Sequence, residues 1–327
     1  MERRFLKIII FTGLLITSCQ QIPINESNKK FVGDNIDKQN LEIDLKKQEK
    51  IISYHSDIWS YILTNSSYTS DSLDEQTLMY MNRHLQDLDK FKEFLNDSYY
   101  FMFFVIEELE NAKLPIELAF LPYIESNYDP FSISSSGAVG MWQFMPRTGR
   151  TYDLERSWWN EDRHDPFKST SAAIKYLKYL YERFDQDLYL TLAAYNAGPS
   201  FLDRQIKRNQ RRGLNTDYWS LDLPIQTRNY VPKFIAIKEL IINSDQYDIE
   251  LPFIPYEPVV AKIEIPGQVE ILTLSEYLNI KPELLYKLNA GYTKWASAPS
   301  EKSVFYIPIE QYDYFQTSEN PFSDSNQ

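Results

Sequence analysis

One cysteine, three histidines and nine glycines in 327 residues leave little material for several common kinds of site. A single thiol forms no disulfide within the chain, so burial and hydrogen bonds must hold the fold. With so few histidines and no HExxH or CxxC spacing, no metal site is expected. A phosphate cradle needs clustered glycines, which are absent, so no cofactor is expected either. Positive charge is also short, with Lys plus Arg at 34 against 46 for Asp plus Glu, a formal net charge of −12. Phosphate backbones want a basic face, and this balance argues against a nucleic-acid partner. The one dense basic run, "RQIKRNQRRG" from Arg204 to Gly213, reads as a solvated helix face.

What is present is apolar and aromatic. The chain is 43% hydrophobic, enough for one large domain or two smaller ones. It holds 24 Tyr, 19 Phe and 6 Trp, rings that stack on sugars but more often simply pack. The start is distinctive: basic "MERRFLK" leads into "IIIFTGLLIT", an apolar run too short to span a bilayer comfortably. It ends at "ITSC", whose Cys19 is the sole cysteine. This resembles a bacterial lipoprotein lipobox. The resemblance implies a signal peptide over 1–18 and lipidation of Cys19, with an ordinary secretory signal or anchor helix as the alternative. Residues 19–50 are polar and without period, which predicts a flexible tether. About 30 such residues reach roughly 30 Å.

From residue 51 to about 250 the patterns are mostly helical. "SYYFMFFVIEELENAK" has the apolar density of a buried helix, and Pro115 is placed to open the next. Asp165 and Pro166 read as N-cap and first residue of a helix whose Ala173, Ile174, Leu177, Tyr181 and Phe184 keep the helical period. "LYLTLAAYNAGP" is apolar nearly all round, predicting a central helix stopped at Gly198-Pro199. After residue 245 Pro and β-branched residues take over, and a small module is expected over 258–316 with strand, helix, helix and strand in turn. Residues 317–327 read as a disordered tail.

Within the helical region "YIESNYDP" puts Glu125 directly behind the apolar run "PIELAFLPYI". Asp129-Pro130 should end that helix, leaving Glu125 near a C-terminus, where the dipole disfavours negative charge. Apolar neighbours act in the same direction and raise the pKa. A carboxyl held neutral near pH 7 suits proton donation to a leaving oxygen. A glutamate satisfied by backbone amides or an arginine is the competing reading. No second carboxylate stands out: Asp129 reads as a turn residue, Asp165 as a cap, and Asp162 lies in the loop before it.

Four motifs follow one another in order: Glu125-Ser126, Gly140-Met141-Trp142-Gln143, "AAYNAGP" with Tyr195 and Asn196, and "RNYVPK" with Tyr230. Together they resemble the catalytic region of the lysozyme-like lytic transglycosylases, most closely the membrane-bound D type. Trp142 departs from the usual Gly-Leu-Met-Gln form of the second motif. The resemblance runs from about Asn96 to Phe315. It implies a predominantly α, α+β lysozyme-like (goose-type) catalytic domain over 51–250. It also implies cleavage of the MurNAc–GlcNAc β-1,4 bond of peptidoglycan without water, one glutamate serving as acid and then base. Under it Glu125 is the catalyst, and Ser134, Met141, Gln143, Tyr195, Asn196 and Tyr230 are substrate-binding residues. Each keeps a bland alternative, as loop serine, core side chain or backbone partner. Trp158 and Trp159 suit sugar stacking and core packing equally.

The module at 258–316 partly resembles a LysM domain, with Pro266-Gly267-Gln268 where that domain has a Gly-Asp turn. Glycan binding and plain packing against the catalytic domain both remain open for it. The combined expectation is a periplasmic enzyme, lipid-anchored to a membrane and, as expected, the outer one, acting on peptidoglycan glycan strands. A hydrolytic muramidase of the same fold and a non-catalytic wall-binding lipoprotein are the rivals.

Overall fold

The computed structural model describes residues 57–66, 73–318 and 321–322. The expected signal peptide, Cys19 and the whole of the expected tether lie outside the described residues.

Aspartates start many of the helices. Asp57, Asp74 and Asp87 cap α1 (Ile58–Asn65), α2 (Glu75–Leu85) and α3 (Leu88–Asn96), each side chain accepting a first-turn amide. Helix α4 (Met102–Ala112) is the expected apolar helix, begun four residues later than the pattern suggested. Pro115 then caps a 3₁₀ turn, Ile116–Phe120, which runs into α5 (Leu121–Ser126) with Pro122 in its first turn. Here the expected boundary moves. Helix α5 stops at Ser126 because Asn127 and Tyr128 both turn left-handed, at φ 59° each, so Asp129-Pro130 is not the terminator. Buried Tyr128 helps hold that turn by donating to the Ala119 carbonyl at 2.6 Å. Asp129 is the turn residue expected, accepting from the Phe131 amide.

After α6 (Pro146–Thr151), helix α7 (Pro166–Arg183) opens as read, with Asp165 as cap and Pro166 first. Helix α8 (Leu188–Ala197) ends at Gly198, and α9 (Pro199–Arg211) carries the basic run, burying only Leu202 and Asn209. The short α10 (Ile225–Arg228) precedes α11 (Tyr230–Ile242), which is buried along most of its length. Helix α11 packs on α2, α5 and α8, and α7 packs on α4 and α8, so the apolar helices form the middle of the body.

The chain then forms β1 (Val260–Pro266), α12 (Ile271–Tyr277), α13 (Pro282–Leu288), β2 (Lys302–Pro308) and α14 (Tyr312–Thr317). Strands β1 and β2 pair antiparallel, Ile263 opposite Phe305, and alternate residues face a small core of their own. That core is separate, yet the module is seated on the body. Tyr306 stacks on Phe167 at 3.7 Å, and Leu288 enters the main core. Residues 252–256 belong with the body: the Ile58 amide donates to the Ile254 carbonyl at 2.8 Å, and Trp59 Nε1 to the Pro252 carbonyl at 2.6 Å. Four residues of the expected tail are described, 317–318 and 321–322. Thr317 closes α14, and Phe322 packs edge-on against Tyr277 at 5.8 Å. The described residues are predominantly helical with one two-stranded sheet, the fold class expected.

Candidate active site

Glu125 sits in the last turn of α5, half-buried, with Leu121, Pro122 and Tyr123 of the same helix buried. Desolvation raises its pKa to about 7, against smaller opposing effects from the Tyr230 hydroxyl and the Lys233 charge. Tyr230, at the start of α11, donates its hydroxyl to Glu125 Oε1. Burial and the Glu125 charge hold both Tyr230 and Tyr195 well above the usual phenol value, so each stays a donor.

The second motif is tied to this glutamate through its backbone. Ser126 Oγ donates to the Met141 carbonyl at 2.8 Å, and Tyr195 from α8 donates to the Trp142 carbonyl at 2.8 Å. Gly140 makes the turn possible: its φ is 82°, and a Cβ there would lie 1.8 Å from the Arg163 carbonyl oxygen. The turn drives the next two side chains inward. Met141 and Trp142 are both fully buried in the main core, and the indole of Trp142 donates to Thr170 Oγ1 at 2.8 Å. This corrects the expectation of Met141 as a substrate-binding residue, since a core side chain offers no surface to a ligand.

The remaining predicted residues are brought near with differing freedom. Gln143, itself left-handed at φ 50°, donates its amide to the Gly140 carbonyl at 2.8 Å and more weakly to that of Ser132. Ser134 closes the tip of the same hairpin by accepting from the Ala138 amide at 2.9 Å. Asn196 accepts from Thr227 Oγ1 at 2.9 Å, joining the end of α8 to the segment that leads into Tyr230. Tyr218 clamps that segment by donating to the carbonyls of Thr227 and Arg228.

Sequence reasoning missed the brace behind the hairpin. Buried Arg163 pairs with Glu161 at 2.8 and 2.9 Å and donates to the Phe144 carbonyl at 3.1 Å. His164 Nδ1 lies 2.6 Å from the Pro130 carbonyl. Neither residue stands in a recognisable motif, and in sequence only Asp162 and Asp165 of the "EDRHD" run drew a reading, as a loop residue and a cap. Lys233 was within reach, being one helical turn beyond Tyr230 in "RNYVPK".

A model of the transglycosylase SLT domain matches residues 103–217. Over 274 residues the chain is 31% identical to membrane-bound lytic murein transglycosylase D from Escherichia coli K12, covering 82% of this chain and 59% of that one. The chain thus spans about three fifths of that relative's length. A putative tributyltin chloride resistance protein from Alteromonas sp. strain M-1 is 37% identical over 106 residues, 32% of this chain and 51% of that one. The crystal structure of the 70 kDa soluble lytic transglycosylase from Escherichia coli aligns with a TM-score of 0.37 at 19% identity, covering 57% of this chain and 32% of that one. Glu125, the turn from Gly140 to Gln143 and the Tyr195-Asn196 pair all fall within the span that matches the transglycosylase SLT domain, with Tyr230 beyond its end.

Proposed function

We propose that the protein is a peptidoglycan lytic transglycosylase in which Glu125 acts first as acid and then as base. One observation carries the reading: a half-buried carboxyl with a pKa near 7, hydrogen-bonded by a tyrosine. No second carboxylate stands out in the sequence around it. A hydrolytic glycosidase ordinarily needs two carboxylates. A transglycosylase needs one, because the substrate's own 6-hydroxyl replaces water. Tyr230 occupies Oε1 as an acceptor, which directs the acidic proton to Oε2. That proton passes to the glycosidic oxygen of the MurNAc–GlcNAc β-1,4 link as the C1–O4 bond breaks. The carboxylate then takes the proton of the MurNAc 6-hydroxyl as O6 bonds to C1, giving the 1,6-anhydro end and restoring Glu125.

Tyr195 supports this reading by fixing the turn beside the carboxyl. Gln143, Asn196 and Ser134 supply amide and hydroxyl groups suited to an N-acetyl sugar. Their present bonds inside the protein would be shared or exchanged on binding. We place the enzyme in the periplasm, held to a membrane (the outer one in this reading) by a lipid on Cys19, with the module at 258–316 as a LysM-like accessory. The name of the Escherichia coli relative, membrane-bound lytic murein transglycosylase D, is consistent with such an anchor.

The test is product chemistry. Purified cell wall digested by the protein should yield muropeptides ending in anhydro-MurNAc, each lighter by one water than a hydrolysis product. Reducing ends alone would make it a muramidase, and no release at all would leave a wall-binding protein.

A further inference from the structure

We propose that Trp158, Trp159 and Trp295 form a sugar-stacking platform, a second glycan-binding surface built jointly by the catalytic body and the C-terminal module. Three of the six tryptophans meet here although they come from segments 135 positions apart. Trp158 is 71% exposed and Trp295 60% exposed. Trp159 stands edge-on to Trp295, with centroids 6.1 Å apart and planes at 62°. The Lys294 ammonium lies 3.9 Å over the Trp158 ring.

Exposed tryptophan is costly unless something covers it, and this pair is not left to flap. The Thr293 amide donates to the Trp159 carbonyl at 2.8 Å, and Thr293 Oγ1 to the Trp158 carbonyl at 2.9 Å. Asn160 bridges antiparallel to Tyr292, and the Glu161 amide donates to the Gly291 carbonyl at 2.8 Å. Ser157 Oγ accepts from the amides of Trp159 and Asn160 at 3.1 and 3.0 Å. The two segments therefore form a short main-chain ribbon that holds the rings upright. The Arg163–Glu161 pair carries the same ribbon to the hairpin that bears Gln143.

Chemistry selects the occupant. In sequence the rings stand among polar and charged residues, in "ERSWWNE" and in "TKW". A membrane or a second protein surface wants a contiguous apolar patch. A pyranose offers an apolar C–H face rimmed by hydroxyls, which matches an indole face set among hydrogen-bonding groups. The net charge of −12 further opposes an anionic bilayer. The choice of peptidoglycan glycan as the natural ligand rests on the function proposed above, whereas the platform itself does not.

The experiment uses the full chain in detergent carrying Glu125→Gln, so that nothing is cleaved. Binding of a GlcNAc hexamer is followed by tryptophan fluorescence, and binding of insoluble wall by co-sedimentation. Trp158→Ala and Trp295→Ala should each weaken both by about tenfold, roughly the loss of one stacked ring. Trp158→Phe should recover most of the loss, and melting should not move because Trp158 is mostly exposed. Equal glycan affinity in the Trp158→Ala/Trp295→Ala double variant overturns the inference. So does a variant that keeps glycan binding but loses adhesion to vesicles of phosphatidylethanolamine and phosphatidylglycerol. If the unsubstituted enzyme yields no anhydro ends while the hexamer still quenches the indoles, the catalytic reading falls and the platform stands.

Discussion

Replacing Glu125 by Gln separates catalysis from stability, because the carboxyl is costly to the fold and needed by the reaction. A glutamate ionises near 4.5 in the unfolded chain and at about 7 here. Its folded pKa is raised, so the unfolded state sheds its proton first. Stability therefore falls as pH rises from about 4.5 to 7 and levels off above. At 1.36 kcal/mol per pKa unit the full interval amounts to about 3.4 kcal/mol. The site is half-buried, and solvent screening leaves about 2–3 kcal/mol. Gln keeps the size and an oxygen for the Tyr230 hydroxyl but never ionises. The variant should melt with wild type at pH 5 and about 5 °C above it at pH 8. Cleavage should fall by about 10⁴-fold or more, since general acid–base catalysis is typically worth 10²–10⁴ and one residue serves both halves. Calorimetry at the two pH values and mass spectrometry of anhydro products measure both effects. A melting difference unchanged between pH 5 and 8 would show that Glu125 is not held protonated. Anhydro products formed at a similar rate would remove it as the catalyst.

Further outcomes follow from neighbouring contacts. Wild-type kcat/KM should decline as pH rises through about 7, where the acid is lost. Tyr230→Phe should move that limb upward, because the hydroxyl now lowers the Glu125 pKa, and should cost about 10²-fold in rate, as for one lost donor. Gly140→Ala should destabilise by more than about 4 kcal/mol in urea titration, because its Cβ would overlap a backbone carbonyl. Gly137→Ala, also at positive φ but with nothing within 4 Å, should cost only about 1–2 kcal/mol. A chain ended after Glu257 should melt lower than the full chain, since it loses the Tyr306–Phe167 stack and the hydrogen bonds to Trp159 and Glu161. Unchanged melting would make the module an independent appendage. Cys19→Ala should abolish labelling by a fatty-acid analogue, and equal labelling of both proteins would dismiss the anchor.

The local grammar was legible because it depends on near neighbours in the chain. Aspartate and proline at helix starts, Gly198 at a helix end and the strand–helix–helix–strand order of the module all needed only short-range chemistry. The place of Glu125 at a helix end beside apolar residues was legible for the same reason, and with it the direction of its pKa. The helix boundary after Ser126 was not. It depends on two left-handed residues, one of them locked by a buried tyrosine reaching the Ala119 carbonyl. Met141 was misplaced because a motif records which residues occur together, not which way each points. The left-handed turn at Gly140, pressed against Arg163, sent that side chain into the core.

The resemblance of four motifs in order was what led a carboxyl, two phenols and two amides to be expected in one site. Only the tertiary structure decided that Tyr230 meets Glu125 across 105 positions and that Tyr195 and Ser126 hold the hairpin by its carbonyls. It alone decided that Trp295 comes up beside Trp159. The physical reason is the same in each case. Hydrogen bonds and ring contacts act over a few ångströms, and pairs far apart in sequence come within that range only when helix packing has already brought their backbones together.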